Sequence, residues 1–151
     1  MLIVNELVMR ESMDDRNIHA SEISGKVRVS TFTYTVPAGN TDKTVLIAKL
    51  PAGRGRALPT ISRVKITGAA GNIQVGTLAY TSSMPGVGDI AADLARLSPK
   101  KAFTDGATFG LDGAVNGWGY YSLNDIGVVM TTDAALSAGA KIEGILFFNV
   151  T

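Results

Sequence analysis

The chain has 151 residues, 46% of them hydrophobic and 18% charged, and its mean hydropathy is +0.21. A chain of this length and composition can bury about 70% of its extended surface around one core, which excludes a disordered or tail-like protein. The formal net charge of +1 and the scattered basic residues argue against nucleic-acid binding, and the absence of cysteine excludes a disulfide framework and Cys-ligated zinc.

Residues 1–26 predict an N-terminal arm that precedes a domain at 27–151. Met1–Met9 is apolar, but it is interrupted by Asn5 and Glu6 and has no basic leader, so it predicts neither a signal peptide nor a membrane span. An apolar arm is costly to leave in water, so we expect it to pack on its own body or on a neighbouring subunit, unless it is an ordinary first strand. The expected contact residues of the arm are Leu2, Ile3, Val4, Leu7, Val8, Arg10 and Arg16.

From residue 27 onward the sequence is typical of β-structure. Runs rich in β-branched and aromatic residues are closed at short intervals by Pro, Gly, Asn and Asp. The predicted strands are Val27–Val36, Thr44–Leu50, Ile61–Thr67, Asn72–Tyr80, Ala107–Leu111, Trp118–Leu123, Ile126–Thr132 and Lys141–Val150. In the last of these strands, apolar residues recur at alternate positions, as expected for a strand with one face on a core. These residues are Ile142, Leu146, Phe148 and Val150.

Residues 81–106 interrupt this rhythm of strands. The stretch Ser82–Gly88 predicts a loop, because it contains Pro85 and two glycines. Asp89–Leu97 predicts one short helix, with Asp89 as its N-cap.

Eight short strands with almost no helix and no βα alternation predict an all-β protein, an antiparallel β-sandwich. Eight strands favour a jelly roll, which consists of two facing sheets built from paired Greek keys, with the short helix in a loop. An immunoglobulin-like sandwich is the nearest alternative. The unequal connections argue against a closed up-and-down barrel.

Residues that could carry catalysis or bind a metal are sparse. His19 is the one histidine, and nothing in the sequence identifies a nucleophile for it to activate. A pair of carboxylates in the second half of the chain could serve glycoside hydrolysis or bind calcium, although turn or cap roles explain each of them. These carboxylates are Asp89, Asp93, Asp105, Asp112, Asp125 and Asp133. We therefore expect no enzyme activity, no metal and no cofactor.

Two basic segments are candidates for contact with a partner. Arg54 and Arg56 predict a compact basic loop, and Lys100 and Lys101 predict another. Such groups could contact a phosphate or, more plausibly, carboxylates on a protein partner, because planar guanidinium groups bind carboxylates bidentately. A solvated loop is the alternative.

The aromatic residues are concentrated near residue 118. Alternation along a strand places Trp118 and Tyr120 on one face and Tyr121 on the other. The face with Trp118 and Tyr120 is predicted to be core or subunit interface, and the alternative is a platform that stacks sugar rings.

A series of short motifs runs through most of the chain. The segment Ala48-Lys-Leu-Pro-Ala-Gly53 is followed by Ile61-Ser-Arg-Val-Lys-Ile66, a Gly/Ala turn and Asn72-Ile-Gln-Val-Gly76. A loop containing Ala91-Ala-Asp-Leu94 comes next, and the chain ends in the apolar strand Lys141-Ile-Glu-Gly-Ile-Leu-Phe-Phe148. This order resembles that of tailed-bacteriophage head decoration, or capsid cement, proteins of the jelly-roll kind.

The resemblance implies a non-enzymatic virion protein that binds the outer surface of a phage capsid, often as a homotrimer, and that bridges and stabilises major capsid subunits. Its implied partners are the major capsid protein and copies of itself, without nucleic acid or membrane. It would be made in the host cytoplasm and reside on the virion surface. In that family the N-terminal segment often contacts the shell or neighbouring subunits, and residues 1–26 occupy the corresponding place. This chain is less acidic than many of those proteins.

Two other functions remain open at this stage. One is a structural protein associated with a phage tail, baseplate or fibre. The other is a carbohydrate-binding or hydrolytic β-sandwich that uses Trp118, Tyr120 and Tyr121 as a stacking surface.

Overall fold

Runs of β-branched and aromatic residues form most of the strands, and turns containing Gly or Asp separate them. The computed structural model describes residues 26–150. Its strands are β1 (Lys26–Thr35), β2 (Thr44–Leu50), β3 (Gly53–Ala57), β4 (Arg63–Thr67), β5 (Gly71–Thr77), β6 (Tyr80–Thr81), β7 (Asp89–Ile90), β8 (Asp93–Phe103), β9 (Thr108–Gly110), β10 (Trp118–Ser122), β11 (Ile126–Thr132) and β12 (Lys141–Val150). A short 3-10 helix occupies Pro59–Ile61.

The larger of the two main sheets has six antiparallel strands and is organised around β12. One edge of β12 pairs with β1 along its whole length, from Lys26 opposite Val150 to Thr35 opposite Lys141. Its other edge is divided between β4 and β3. β9 then extends the sheet beyond β4, and β10 extends it beyond β3. β1 therefore lies at an edge of this sheet.

The smaller main sheet has four antiparallel strands in the order β2-β11-β5-β8. The pairing of β11 with β2 and that of β5 with β8 both contain register shifts. The two sheets pack face to face as a sandwich. β6 and β7 form a separate two-stranded hairpin.

The strand order is that of a jelly roll, as the sequence predicts. The larger sheet contains the order β1-β12-β4-β9, and the smaller contains β2-β11-β5-β8. Along the chain, each of these eight strands is followed by one in the other sheet, except that β5 is followed by its neighbour β8. The first strand of the set, β1, pairs with the last, β12. β3 and β10 are additions at one corner of the larger sheet. This order differs from that of an immunoglobulin-like sandwich.

The core lies between the two sheets, and the predicted parity of β12 is confirmed. Ile142, Leu146 and Phe148 are buried in it, whereas Val150 is only partly buried. From the opposite sheet, alternate residues of β11 meet them. These are Ile126, Val128 and Met130.

The predicted helix at Asp89–Leu97 is wrong. Its residues instead form β7 and the first half of β8, where Leu97 is fully buried and Asp93 pairs with Thr77 of β5. Local helix propensity is weak, and burying an apolar side chain against a neighbouring strand outweighs it. Pro99 is tolerated because β8 lies at the edge of its sheet.

The predicted basic loop at residues 54–56 is also wrong in its local structure. Gly53–Ala57 is β3, which lies between β12 and β10. The second predicted basic loop is wrong for the same reason, since Lys100 and Lys101 belong to β8. The predicted strand at 72–80 ends at Thr77, and those at 61–67 and 107–111 are shorter by a residue or two at their ends.

Candidate interaction surfaces

The arm predicted to contact a capsid or a subunit lies outside the residues that the structure describes. This applies to all of its predicted contact residues and to His19. The predicted arm residues are Leu2, Ile3, Val4, Leu7, Val8, Arg10 and Arg16.

Arg54 and Arg56 project from the same face of β3, because they are two residues apart in a strand. Both are exposed. The Arg56 guanidinium donates a hydrogen bond of 2.8 Å to the Asn116 carbonyl, and the Arg54 guanidinium lies 5.3 Å from the centre of the Tyr121 ring. These two contacts hold both guanidinium groups along the surface of the sheet.

The aromatic residues of β10 do not form a single platform. Tyr120 is buried, with 2% of its surface exposed, whereas Tyr121 lies on the outer face. The predicted alternation is confirmed, and Tyr120 belongs to the core. Because Tyr120 is enclosed, the three rings cannot together stack a sugar.

Trp118 lies in a cluster of aromatic rings around Arg96. The Arg96 guanidinium is 4.7 Å from the Trp118 ring centre and 6.0 Å from that of Tyr80, while Trp118 stacks on Tyr120 at 5.5 Å. Arg96 also donates to the Ala91 carbonyl. The cluster joins β6, β8 and β10. Sequence reasoning missed it because Arg96 fell within the predicted helix.

Burial and a hydrogen bond fix the Tyr120 hydroxyl. It donates to the Pro51 carbonyl at 3.1 Å. Burial, and secondarily the negative charge of Asp125, raises the pKa of Tyr120 to about 12. The hydroxyl is therefore a structural group at neutral pH.

Each carboxylate that the sequence offers for catalysis or calcium has a structural partner. Asp105 accepts from the Gly68 backbone amide and Asp125 from that of Ala52. Asp93 likewise accepts from the Ala95 backbone amide, and Asp112 pairs with Lys101. Asp89 caps no helix, contrary to the prediction, and accepts from the Thr81 hydroxyl of the β6–β7 hairpin.

Asp133, directly after β11, binds side chains of β5 and β8. It is bound by Lys100 at 2.7 Å and by the Asn72 amide at 2.9 Å, and these hydrogen bonds lower the pKa of Asp133. In the part of the chain that the structure describes, no three His, Cys, Asp or Glu side chains are placed to hold a metal ion.

Apolar side chains are exposed on the outer face of the smaller sheet. Leu46 and Leu78 meet above Gly127, because a Cβ placed on Gly127 would lie about 3 Å from both of their side chains. Val129, which is opposite Leu46 in the ladder, is buried and does not belong to the main core. Leu46 is 52% exposed. We call the exposed side chains of Leu46 and Leu78 the Leu46 patch.

A second set of exposed apolar residues surrounds the β6–β7 hairpin. The hairpin is tied to β10 by hydrogen bonds from the Ser83 amide to the Tyr121 carbonyl and from the Leu123 amide to the Thr81 carbonyl. We call the exposed side chains of this region the hairpin patch, namely Met84, Val87, Tyr121 and Leu123.

The outer face of the six-stranded sheet combines basic and apolar side chains. Residues opposite each other in antiparallel strands point to the same side, so the ladder places Val29 beside Phe147 and Arg63 beside Ile145. We call this surface the basic face. Its residues are Val27, Val29, Arg54, Arg56, Arg63, Lys65, Lys141, Glu143, Ile145 and Phe147.

Comparison with known proteins identifies no relative. No protein-family model matches the chain, and no curated protein matches it. Within residues 26–150 no helix has the length and hydropathy to cross a membrane.

Proposed function

We propose that this protein is a virion structural protein that binds the outer surface of a tailed-phage capsid and bridges and stabilises major capsid subunits. The observation that carries the proposal is the exposure of apolar side chains on two surfaces that belong to opposite sheets of one jelly roll, the Leu46 patch and the hairpin patch. Exposed apolar surface of this kind is characteristic of protein contacts.

Bridging requires contact surfaces that point in different directions. Leu46 is on β2 of the smaller sheet, whereas Tyr121 of the hairpin patch lies on the outer face of the larger sheet, so one molecule can touch two neighbours at once. Contacts of modest strength then act together through effective concentration, and an assembly stays bound where one contact alone would release. The resemblance to capsid cement proteins, carried by the motif order from Ala48 to Phe148, supports the same function.

The direct test is decoration of capsids. The purified protein is mixed with expanded heads of the phage that carries its gene, and the particles are imaged by electron microscopy with the protein labelled. Regular density on the outer shell supports the proposal. Label confined to a tail, baseplate or fibre would assign the protein to that structure instead, and unlabelled particles would overturn both assignments.

The arm gives a more specific prediction for the same assay. Deleting residues 1–16 removes the apolar and charged contacts predicted for the arm, so we expect capsid occupancy to fall severalfold at equal protein concentration. Far-UV circular dichroism of the deletion variant should keep the β spectrum of the full chain. Full occupancy of a folded deletion variant would contradict a role for the arm in attachment.

A further inference from the structure

The charge of the basic face is strongly one-sided. On the strands of the six-stranded sheet, as far as the structure describes them, five basic side chains point outward and Glu143 is the one carboxylate among them. Lys141 binds Glu143 at 2.7 Å, and this hydrogen bond lowers the pKa of Glu143. The remaining basic residues are Arg54, Arg56, Arg63 and Lys65.

Two guanidinium groups on this face, those of Arg56 and Arg63, donate hydrogen bonds to backbone carbonyls. Arg63 donates to the carbonyls of Thr60 and Ser62, each at 2.9 Å, and Arg56 donates to that of Asn116. Hydrogen bonds to carbonyl groups orient a guanidinium without cancelling its charge. The face therefore presents an ordered positive surface.

Apolar side chains lie directly beside these charges. Val27 is 56% exposed and Val29 is 50% exposed, and both are on the edge strand β1. Ile145 and Phe147 of β12 continue the apolar strip toward Arg63. A complementary occupant must therefore carry both negative charge and apolar side chains.

The chain itself contains a segment with this composition. Residues 1–25 have five acidic residues against two basic ones, a net charge of −3, whereas residues 26–150 have twelve basic against eight acidic, a net charge of +4. The same segment carries the apolar stretch Met1–Met9. Its acidic residues are Glu6, Glu11, Asp14, Asp15 and Glu22.

The place where residues 1–25 join β1 also allows this segment to reach the basic face. The segment joins β1 at Lys26, which is opposite Val150 in the ladder, at the end of the face that holds Val27 and Arg56. An extended segment of 25 residues spans up to roughly 80 Å, and a ten-residue strand is about 33 Å long. The segment is long enough to follow the whole face or to reach a neighbouring copy.

We propose that the occupant of the basic face is the N-terminal segment of this chain, residues 1–25. Its acidic residues meet Arg56, Arg63 and Lys65, and its apolar residues cover the strip formed by Val27, Val29, Ile145 and Phe147. This inference does not depend on capsid binding, because it concerns only the purified chain.

The absence of cysteine allows a clean test by site-specific cross-linking in the full-length protein. Leu7→Cys is combined with Val29→Cys on the basic face, and in the matched control with Leu46→Cys, whose native side chain is as exposed but lies on the opposite sheet. A short bismaleimide reagent then measures how often the two thiols meet. We expect the Val29 pair to cross-link at least about fivefold faster than the control pair.

Each outcome of this experiment has a definite meaning. Faster cross-linking within single chains assigns the segment to its own face, and faster cross-linking to dimers assigns it to the face of a second copy. Equal rates for the two pairs would overturn the proposal and leave the face to an external acidic protein. If circular dichroism shows that Val29→Cys does not fold, Thr31→Cys on the same exposed face replaces it.

Charge reversal tests the electrostatic part separately. Adding Asp14→Lys and Asp15→Lys to the Leu7 and Val29 cysteine pair should slow cross-linking severalfold, and so should raising the salt concentration from about 0.05 M to 0.5 M. A rate that responds to neither change would contradict the pairing of opposite charges.

Discussion

Single residues on β10 and β3 show how closely the larger sheet is built around one aromatic ring. A Cβ placed on Gly55 would lie 2.5 Å from the Tyr120 hydroxyl oxygen and 2.8 Å from the Asn149 carbonyl oxygen. The Tyr120 ring therefore occupies the space that a side chain at position 55 would need. Its hydroxyl donates to the partly buried Pro51 carbonyl, so one residue combines core packing with the satisfaction of a backbone acceptor.

Removing the Tyr120 hydroxyl tests this arrangement. Tyr120→Phe should lower the free energy of unfolding by about 1 kcal/mol at pH 7, because the Pro51 carbonyl loses its donor. The raised pKa of Tyr120 means that its contribution is fully present below about pH 10 and is lost as the pH rises toward about 12. The free energy of unfolding, measured with urea, should therefore differ less between the native protein and Tyr120→Phe as the pH rises from about 10 to about 12.

Tyr121→Phe is the matched control for this measurement, since Tyr121 is the next residue of the same strand and is exposed. Tyr121→Phe should change the free energy of unfolding by no more than about 0.5 kcal/mol. If the free energies of unfolding of the native protein and Tyr120→Phe differ by a constant amount from pH 9 to 12, burial does not raise the pKa of Tyr120.

At the scale of elements, the smaller sheet is completed by β8, which the sequence does not predict as a strand. Its sequence predicts the end of a helix followed by a loop, yet its eleven residues form the edge strand. The close approach of β8 to β5 depends on Gly76, because a Cβ there would collide with the backbone of Asp93 and Leu94. Backbone atoms in a paired strand cannot rotate away as a flexible side chain can.

Gly76→Ala is therefore expected to separate β5 from β8 and to lower the free energy of unfolding by about 2–4 kcal/mol. Gly119→Ala is the matched control, because a Cβ on this strand glycine would meet the Arg56 side chain at 3.7 Å and the Gly55 carbonyl oxygen at 3.9 Å, which are ordinary contact distances. It should be neutral or slightly stabilising. Equal destabilisation by the two variants in urea unfolding would show that the β5–β8 approach is not the cause.

At the scale of the whole molecule, the exposed apolar residues fall on both outer faces and beside the hairpin rather than in one cleft. This distribution is typical of a subunit with several neighbours, because each contact that covers exposed apolar side chains removes them from water and so stabilises the association. The charge distribution adds to it, since the segment before Lys26 and the body after it carry opposite net charge. Both features favour self-association.

Self-association predicts a melting temperature that depends on protein concentration. For a homotrimer, a tenfold rise in concentration should raise Tm by about 2–4 °C, and native mass spectrometry should find three chains. Leu46→Lys and Val29→Lys, examined separately, identify which patch holds the copies together. A monomeric mass at micromolar concentration with a constant Tm would contradict the predicted homotrimer.

The sequence by itself determined the fold class and most strands. Alternating β-branched and aromatic residues determine strands locally, so β1, β2, β11 and β12 are predicted with nearly their observed bounds, and the inward parity of β12 is correct at Ile142, Leu146 and Phe148. The count of eight strands was right for a jelly roll, although the predicted set contained β10 and lacked β8. That Tyr120 and Tyr121 point to opposite faces of the sheet also follows from alternation alone.

Only the tertiary structure decided which segments with weak local patterns become strands and which side chains share a surface. β3 contains two glycines and two arginines, and it is a strand because β10 and β12 supply partners on both sides. The Arg96 cluster, the Leu46 patch and the basic face each combine residues far apart in the chain. Their assembly depends on strand order and register, which are long-range properties that no local window of sequence contains.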